Sequence, residues 1–245
     1  MTRRPILLVH GAWHGPWFWD RWTDGLHAAG YAPRAVTLPA HAQPGDRHRI
    51  WTSLGDYVEK VETELAFLGT DTVIIGHSMG GLVTQKALEH HDAALGILVA
   101  SVPPRGVFGA TVRTAREIPL QFAAVNGLMS MHPIVSSKRL TRRAFFTDDT
   151  SDDVVSWTRE RIQNESYLAY LQMLAWWPRP TKVRTPIRVL AAGKDRIFSV
   201  EEQEQLAAAY GTGAVVLPES GHDIALDPAG EAGLDQVLAW IAELD

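Results

Sequence analysis

Thr72-Val73-Ile74-Ile75-Gly76-His77-Ser78-Met79-Gly80-Gly81-Leu82-Val83 is the stretch on which the fold turns. A short β-branched run, Thr72–Ile75, meets a Gly-x-Ser-x-Gly pattern and then a helical pattern, Gly80–His91. Such a strand-to-helix turn must be tight. It leaves the serine in strained backbone geometry with its hydroxyl exposed, and the helix start adds positive partial charge beside it. Gly76 and Gly80 let strand and helix approach closely.

Outward from this turn, runs and helical patterns alternate. Ile6–Val9, Ala35–Leu38, Gly96–Ala100, Ile187–Ala191 and Ala214–Leu217 read as further strands. Several are continuously apolar, as strands covered on both faces are. Trp17–Ala29, Leu54–Leu68, Val200–Tyr210 and Ala229–Leu244 read as helices; Leu54, Tyr57, Val58, Val61, Leu65 and Leu68 fall at helical spacing. Repeated alternation predicts a parallel α/β sheet with right-handed crossovers. It breaks between Val102 and Thr185, where no strand is evident and aromatic and Met residues follow helical patterns. This predicts a core of residues 1–101 and 186–245 carrying a helical cap, 102–185. Phe122, Met129, Trp176 and Trp177 are candidates to line a pocket under the cap.

The 245 residues suit one domain with an insertion. With 46% hydrophobic and 21% charged residues the chain can build a core. A net charge of −5 speaks against nucleic acid as partner. The absence of cysteine excludes disulfides, thiolate metal sites and a cysteine nucleophile. No apolar run spans a bilayer, so no membrane partner is expected. The basic start Met1-Thr2-Arg3-Arg4 before Ile6–Val9 lacks a cleavage signal and reads as the approach to a strand, which predicts a cytoplasmic protein.

A serine hydroxyl needs a base. His222, in Ser220-Gly221-His222-Asp223, follows the strand Ala214–Leu217, where parallel sheets carry functional groups. The base needs an acid to hold its tautomer. Asp195 follows the strand Ile187–Ala191; Asp223 and Asp227 are its competitors, and Ser101-Val102-Pro103-Pro104 after the fourth strand offers no carboxylate. His10-Gly11-Ala12-Trp13-His14-Gly15 follows the first strand, and Gly11 permits a turn that aims an amide at the reacting centre. The amide after the serine, Met79, is the second expected donor. His10 and His14 stand four apart, but no helix or intervening Glu supports a metal pair.

Together these pieces resemble the α/β-hydrolase superfamily, in the order Ser78, Asp195, His222. Residues 10–19, His-Gly-Ala-Trp-His-Gly-Pro-Trp-Phe-Trp, look like the subgroup of small plant esterases and hydroxynitrile lyases. The resemblance implies that the amides of Ala12 and Met79 hold the oxyanion, and that the tryptophans pack rather than touch substrate. The lyase branch has lysine after the histidine and commonly threonine after the first histidine; here Asp223 and Gly11 stand there, favouring hydrolysis. A serine nucleophile also differs from the aspartate of epoxide hydrolases and dehalogenases. The family's two extra leading strands have no room before Ile6, so about six mainly parallel strands are expected. The expected activity is cleavage of small to medium apolar carboxylic esters through an acyl-enzyme, with no cofactor or metal. The partner is a small-molecule ester. Acyltransferase, thioesterase, lactonase, perhydrolase, hydroxynitrile lyase and non-catalytic receptor readings stay open, as does monomer or homodimer.

One charge feature stands apart. Arg105, Arg113, Arg116, Lys138, Arg139, Arg142 and Arg143 face Glu117 alone in their stretch, before Asp148, Asp149, Asp152 and Asp153. They read as solvated faces that pair with the acidic run, itself a helix start capped by Thr150 or Ser151; the alternative is a basic edge that steers an anionic substrate.

Overall fold

In strand register Val9 lies beside Gly76 and Ala192 beside Leu217, and this pairing brings four functional loops to one edge of the sheet. A computed structural model describes residues 4–41 and 51–244; Met1–Arg3 of the basic start lie outside them. Six strands, β1 (Pro5–Val9), β2 (Ala32–Ala35), β3 (Val73–His77), β4 (Leu95–Val99), β5 (Ile187–Ala192) and β6 (Ala214–Leu217), form one parallel sheet in the order β2-β1-β3-β4-β5-β6. The chain winds outward from β1 in both directions. The loops after β1 and β3 therefore meet at the point where the strand order reverses, which is where open α/β sheets bind ligands.

Side chains alternate across the sheet. Leu7, Val9, Ile74, Leu98 and Val189 pack into one apolar layer with α2 (Leu54–Leu68), α3 (Met79–Ala87) and α9 (Val200–Ala209). Ile6, Leu8, Ile75, Ile97 and Leu190 pack into the other with α1 (Asp20–Ala28) and α10 (Gly230–Ala242). All five residues of β3 and of β4 are buried, which explains their unbroken apolar runs. Ser53 and Asp56 close a capping box that starts α2, and Ser199 and Glu202 do the same for α9.

The second strand differs from expectation. It runs Ala32–Ala35 rather than Ala35–Leu38. It is an edge strand with half its side chains in solvent, so it carries little apolar signal. Val36 and Leu38 are buried because the chain dives back over the core just after the edge. Between β4 and β5 the described residues form α4 (Phe108–Glu117), α5 (Pro119–Leu128), α6 (Lys138–Phe145), α7 (Asp152–Arg161) and α8 (Tyr167–Met173), with no strand. Ser151 is the cap of α7, accepting from the Val154 amide. Among the described residues no helix is long and apolar enough to cross a membrane.

Candidate active site

Ser78 joins β3 to α3 with φ 53° and ψ −120°, a conformation strained for any side chain. The flanking glycines make the turn possible by their lack of a side chain. A Cβ on Gly76 would lie 2.6 Å from the Gly80 carbonyl, and one on Gly80 would lie 2.4 Å from the carbonyls of Val9 and His10. Helix α3 thus presses its first turn onto β1 and β3. Its first residue, Met79, has an amide with no acceptor inside the helix.

Ser78 Oγ donates to His222 Nε2 at 2.9 Å, and His222 Nδ1 donates to Asp195 Oδ2 at 2.7 Å. Asp195 is itself held: its Oδ1 accepts from the amides of Ile197 (2.7 Å) and Phe198 (3.1 Å). Burial of His222 disfavours its charged form. The Asp195 carboxylate, by charge and hydrogen bond, and then Asp223 outweigh that burial and raise the imidazole above its ordinary value. The two competitors for the acid position serve elsewhere. Asp223 Oδ2 pairs with His14 Nε2 at 3.0 Å. Asp227 accepts from the Gly221 and Ala229 amides and so shapes the loop that carries His222.

His77 supports the histidine from below. Its Nε2 donates to the His222 carbonyl at 3.0 Å, and its ring stacks on Phe18 at 4.3 Å between centroids. Burial, then the neighbouring His222, hold His77 well below the usual histidine value, so it is neutral. Among the described residues, His77, His222 and Asp223 form a group with metal-ligand chemistry, their donor atoms within 4.8 Å. Both His222 nitrogens are engaged by Ser78 and Asp195, and Asp223 Oδ2 by His14, while His77 Nδ1 and Asp223 Oδ1 have no hydrogen-bond partner among the described residues. His10 and His14 do not face a common ion: His10 Nδ1 lies against the Gly11 carbonyl and His14 Nδ1 against the Ala12 carbonyl.

The loop after β1 crosses the serine. A Cβ on Gly11 would sit 2.9 Å from Ser78 Cβ and from His77 Nδ1, which leaves no space for threonine there. Ala12 and Met79 line the cleft that holds Ser78. Trp13 follows in left-handed geometry, φ 64°. Its backbone is clamped from both sides by the segment before α8: its amide donates to Glu165 Oε2 (3.3 Å), and its carbonyl accepts from the Gln163 amide (2.8 Å). Glu165 is buried and also accepts from Tyr57 Oη (2.7 Å), the Ser166 amide (2.6 Å) and His41 Nε2 (3.2 Å). Burial, and then this carboxylate, push the Tyr57 hydroxyl far above the usual phenol range. Nothing in the sequence singles out Glu165, because its partners other than the adjacent Ser166 come from three distant segments, around Trp13, His41 and Tyr57.

The cleft encloses about 90 Å³ and is mostly apolar, with Val102, Val107, Val125, Met131, Ile134 and Met173 on its walls. Of the pocket candidates, Phe122 lines it; Met129, Trp176 and Trp177 do not. Trp176 instead covers Lys86 Nζ at 4.5 Å. Among the tryptophans of residues 10–19, Trp19 is buried packing, as the resemblance implied, and Trp17 packs against Trp157. Trp13 departs from that expectation in lining the cleft, although it also packs against the core and Phe145.

A parallel sheet with a strained serine between its third strand and the following helix defines an α/β-hydrolase. The model of the Alpha/beta hydrolase family matches residues 6–233, and the chain belongs to that family. It is similar to methyl jasmonate esterase 1 of Vitis vinifera, 33% identical over 98 residues; the match covers 39% of this chain and 38% of that protein, well under two thirds of its length. Methylesterase 18 of Arabidopsis thaliana is 23% identical over 242 residues, 91% of each chain. A solved methylesterase from Arabidopsis shares the fold with a TM-score of 0.68 at 18% identity, over 98% of this chain and 99% of that one.

Proposed function

We propose that this chain is a serine hydrolase of carboxylic esters that works through an acyl-enzyme. One observation carries the reading: the unbroken line of hydrogen bonds from Ser78 Oγ through His222 to Asp195, beginning at a strained serine. In this reading Ser78 Oγ attacks the ester carbonyl while His222 Nε2 takes its proton. Asp195 keeps the Nδ1–H tautomer and offsets the imidazolium charge. The amides of Ala12 and Met79 hold the oxyanion. The alcohol leaves with the proton from His222, and water enters by the reverse path to release the acid. Residues 1–101 and 186–245 act as the catalytic core, with 102–185 as a cap that supplies Phe122, Val125, Met131 and Tyr170 to the cleft.

The esterases among the relatives support ester cleavage over the other acyl-transfer readings. Cyanohydrin cleavage is disfavoured by Gly11, which has no space for a side chain, and by Asp223 in place of the lyase lysine. The test is hydrolysis of p-nitrophenyl esters from acetate to palmitate by wild type and Ser78→Ala. The expected result is an optimum among short to medium chains, and loss of about a millionfold in turnover in the variant. Equal activity in the two proteins would overturn the reading.

A further inference from the structure

The basic residues between Arg105 and Arg143 divide into two groups. Lys138 and Arg142 reach Asp152, and Arg113 reaches Glu202, as solvated faces do. Arg143 is different: it stands on the wall of the cleft that holds Ser78, and Arg196 shares that wall. Arg143 is paired with Glu117, the only carboxylate in the lining. For Arg196, no carboxylate among the described residues lies within ion-pair distance. The wall therefore carries two cations against one anion, in a protein of net charge −5. The two guanidiniums feel each other: burial first, and then the charge of Arg196, weaken the hold of Arg143 on its proton.

Arg196 is also well placed. It sits at the apex of the turn that Asp195 Oδ1 ties through the Ile197 and Phe198 amides, so its backbone is fixed by the same contacts that orient the acid. A planar guanidinium matches a carboxylate through two parallel hydrogen bonds. One surplus positive charge is balanced by a monoanion, whereas a phosphate dianion would overshoot it.

We propose that Arg196, with Arg143 on the same wall, forms a subsite for a carboxylate, and that the substrate is a half-ester of a dicarboxylic acid whose ester carbonyl reaches Ser78. This rests on the reading of Ser78 as the ester-attacking nucleophile. Attack by Ser78 Oγ breaks the ester C–O bond, and the alcohol leaves with the proton that His222 took. Water then adds to the acyl carbon and frees the second carboxylate.

The experiment compares monomethyl glutarate with dimethyl glutarate at neutral pH, for wild type, Arg196→Gln and Arg196→Lys. The ratio of kcat/KM for half-ester over diester is expected to fall about tenfold in Arg196→Gln and to recover largely in Arg196→Lys. Added salt should lower the half-ester rate alone. An unchanged ratio in Arg196→Gln overturns the subsite; if p-nitrophenyl acetate is still cleaved in a Ser78-dependent way, the hydrolase reading stands without it. If no ester is cleaved, the hydrolase reading falls, and calorimetry of monomethyl glutarate with Ser78→Ala judges the subsite alone. Binding that Arg196→Gln abolishes supports it, and absence of binding overturns it.

Discussion

Glu165→Gln isolates the contribution of the clamp on the loop after β1. Among its contacts the carboxylate accepts from Tyr57 Oη and the Ser166 amide on Oε1 and from the Trp13 amide and His41 Nε2 on Oε2. Glutamine has the same shape, so no cavity forms. It keeps one accepting oxygen and replaces the other by an NH2 that meets two donors head-on. Two hydrogen bonds to a charged acceptor are lost, at about 1.5–3 kcal/mol each, which gives about 3–6 kcal/mol. A chain of this size would lose about 2–4 °C of Tm per kcal/mol, so a fall of about 6 °C or more is expected. The glutamine will turn its oxygen to the shorter contacts, Tyr57 Oη and Ser166 N. The Trp13 amide is then released, and with it the turn that, in the proposed mechanism, aims the Ala12 amide. Loss of one oxyanion donor costs about 10²–10³ in kcat; a loosened donor should cost about tenfold or more, with KM changed less. Urea unfolding and ester kinetics on the same preparations measure both. A stability within about 1 kcal/mol of wild type, together with unaltered kcat, would refute the clamp.

Other consequences follow from single contacts. In the proposed mechanism His222 must be neutral to accept the serine proton, and Asp195 holds its imidazole above the ordinary value of 6.5, so kcat/KM should fall as pH drops through a midpoint above 6.5. Asp195→Asn should move that limb to lower pH and reduce kcat about 10⁴-fold, read from a pH–rate profile; an unmoved limb would assign the titration to another group. Gly80→Ala would drive a Cβ to 2.4 Å from two backbone carbonyls that cannot yield, and should cost several kcal/mol or abolish soluble expression, measured by thermal unfolding. Asp227→Asn should loosen the Gly221 amide contact and lower kcat with little change in KM, while an effect on KM alone would tie Asp227 to binding instead.

The parallel sheet was legible in the sequence because β1, β3, β4 and β5 are largely buried and so mostly apolar, even though β5 carries the half-buried Arg188, which pairs with Glu243. Helix α2 was legible from its apolar stripe, which is set by spacing along the chain alone. The turn at Gly76–Gly80 was legible for the same reason: its glycines answer to atoms a few residues away or on the adjacent strand. Chain order after successive strands also sufficed to single out Ser78, Asp195 and His222, which the structure brings within hydrogen-bonding distance. The edge strand β2 was misplaced because solvent on one side removes the apolar signal.

Long-range contacts were beyond the sequence. That Asp223 turns to His14 and Asp227 to the Gly221 amide depends on how the loop after β6 packs on the loop after β1. The role of Glu165 depends on four segments converging. Trp13 facing the cleft, Trp176 and Trp177 lying outside it, and Arg143 with Arg196 on its wall all follow from how the helices between β4 and β5 sit over the sheet edge. Local patterns determined the elements and the order of the reactive side chains, because those are set by neighbours along the chain. Tertiary packing alone decided the shape and charge of the cleft, because its walls come from residues that only folding makes neighbours.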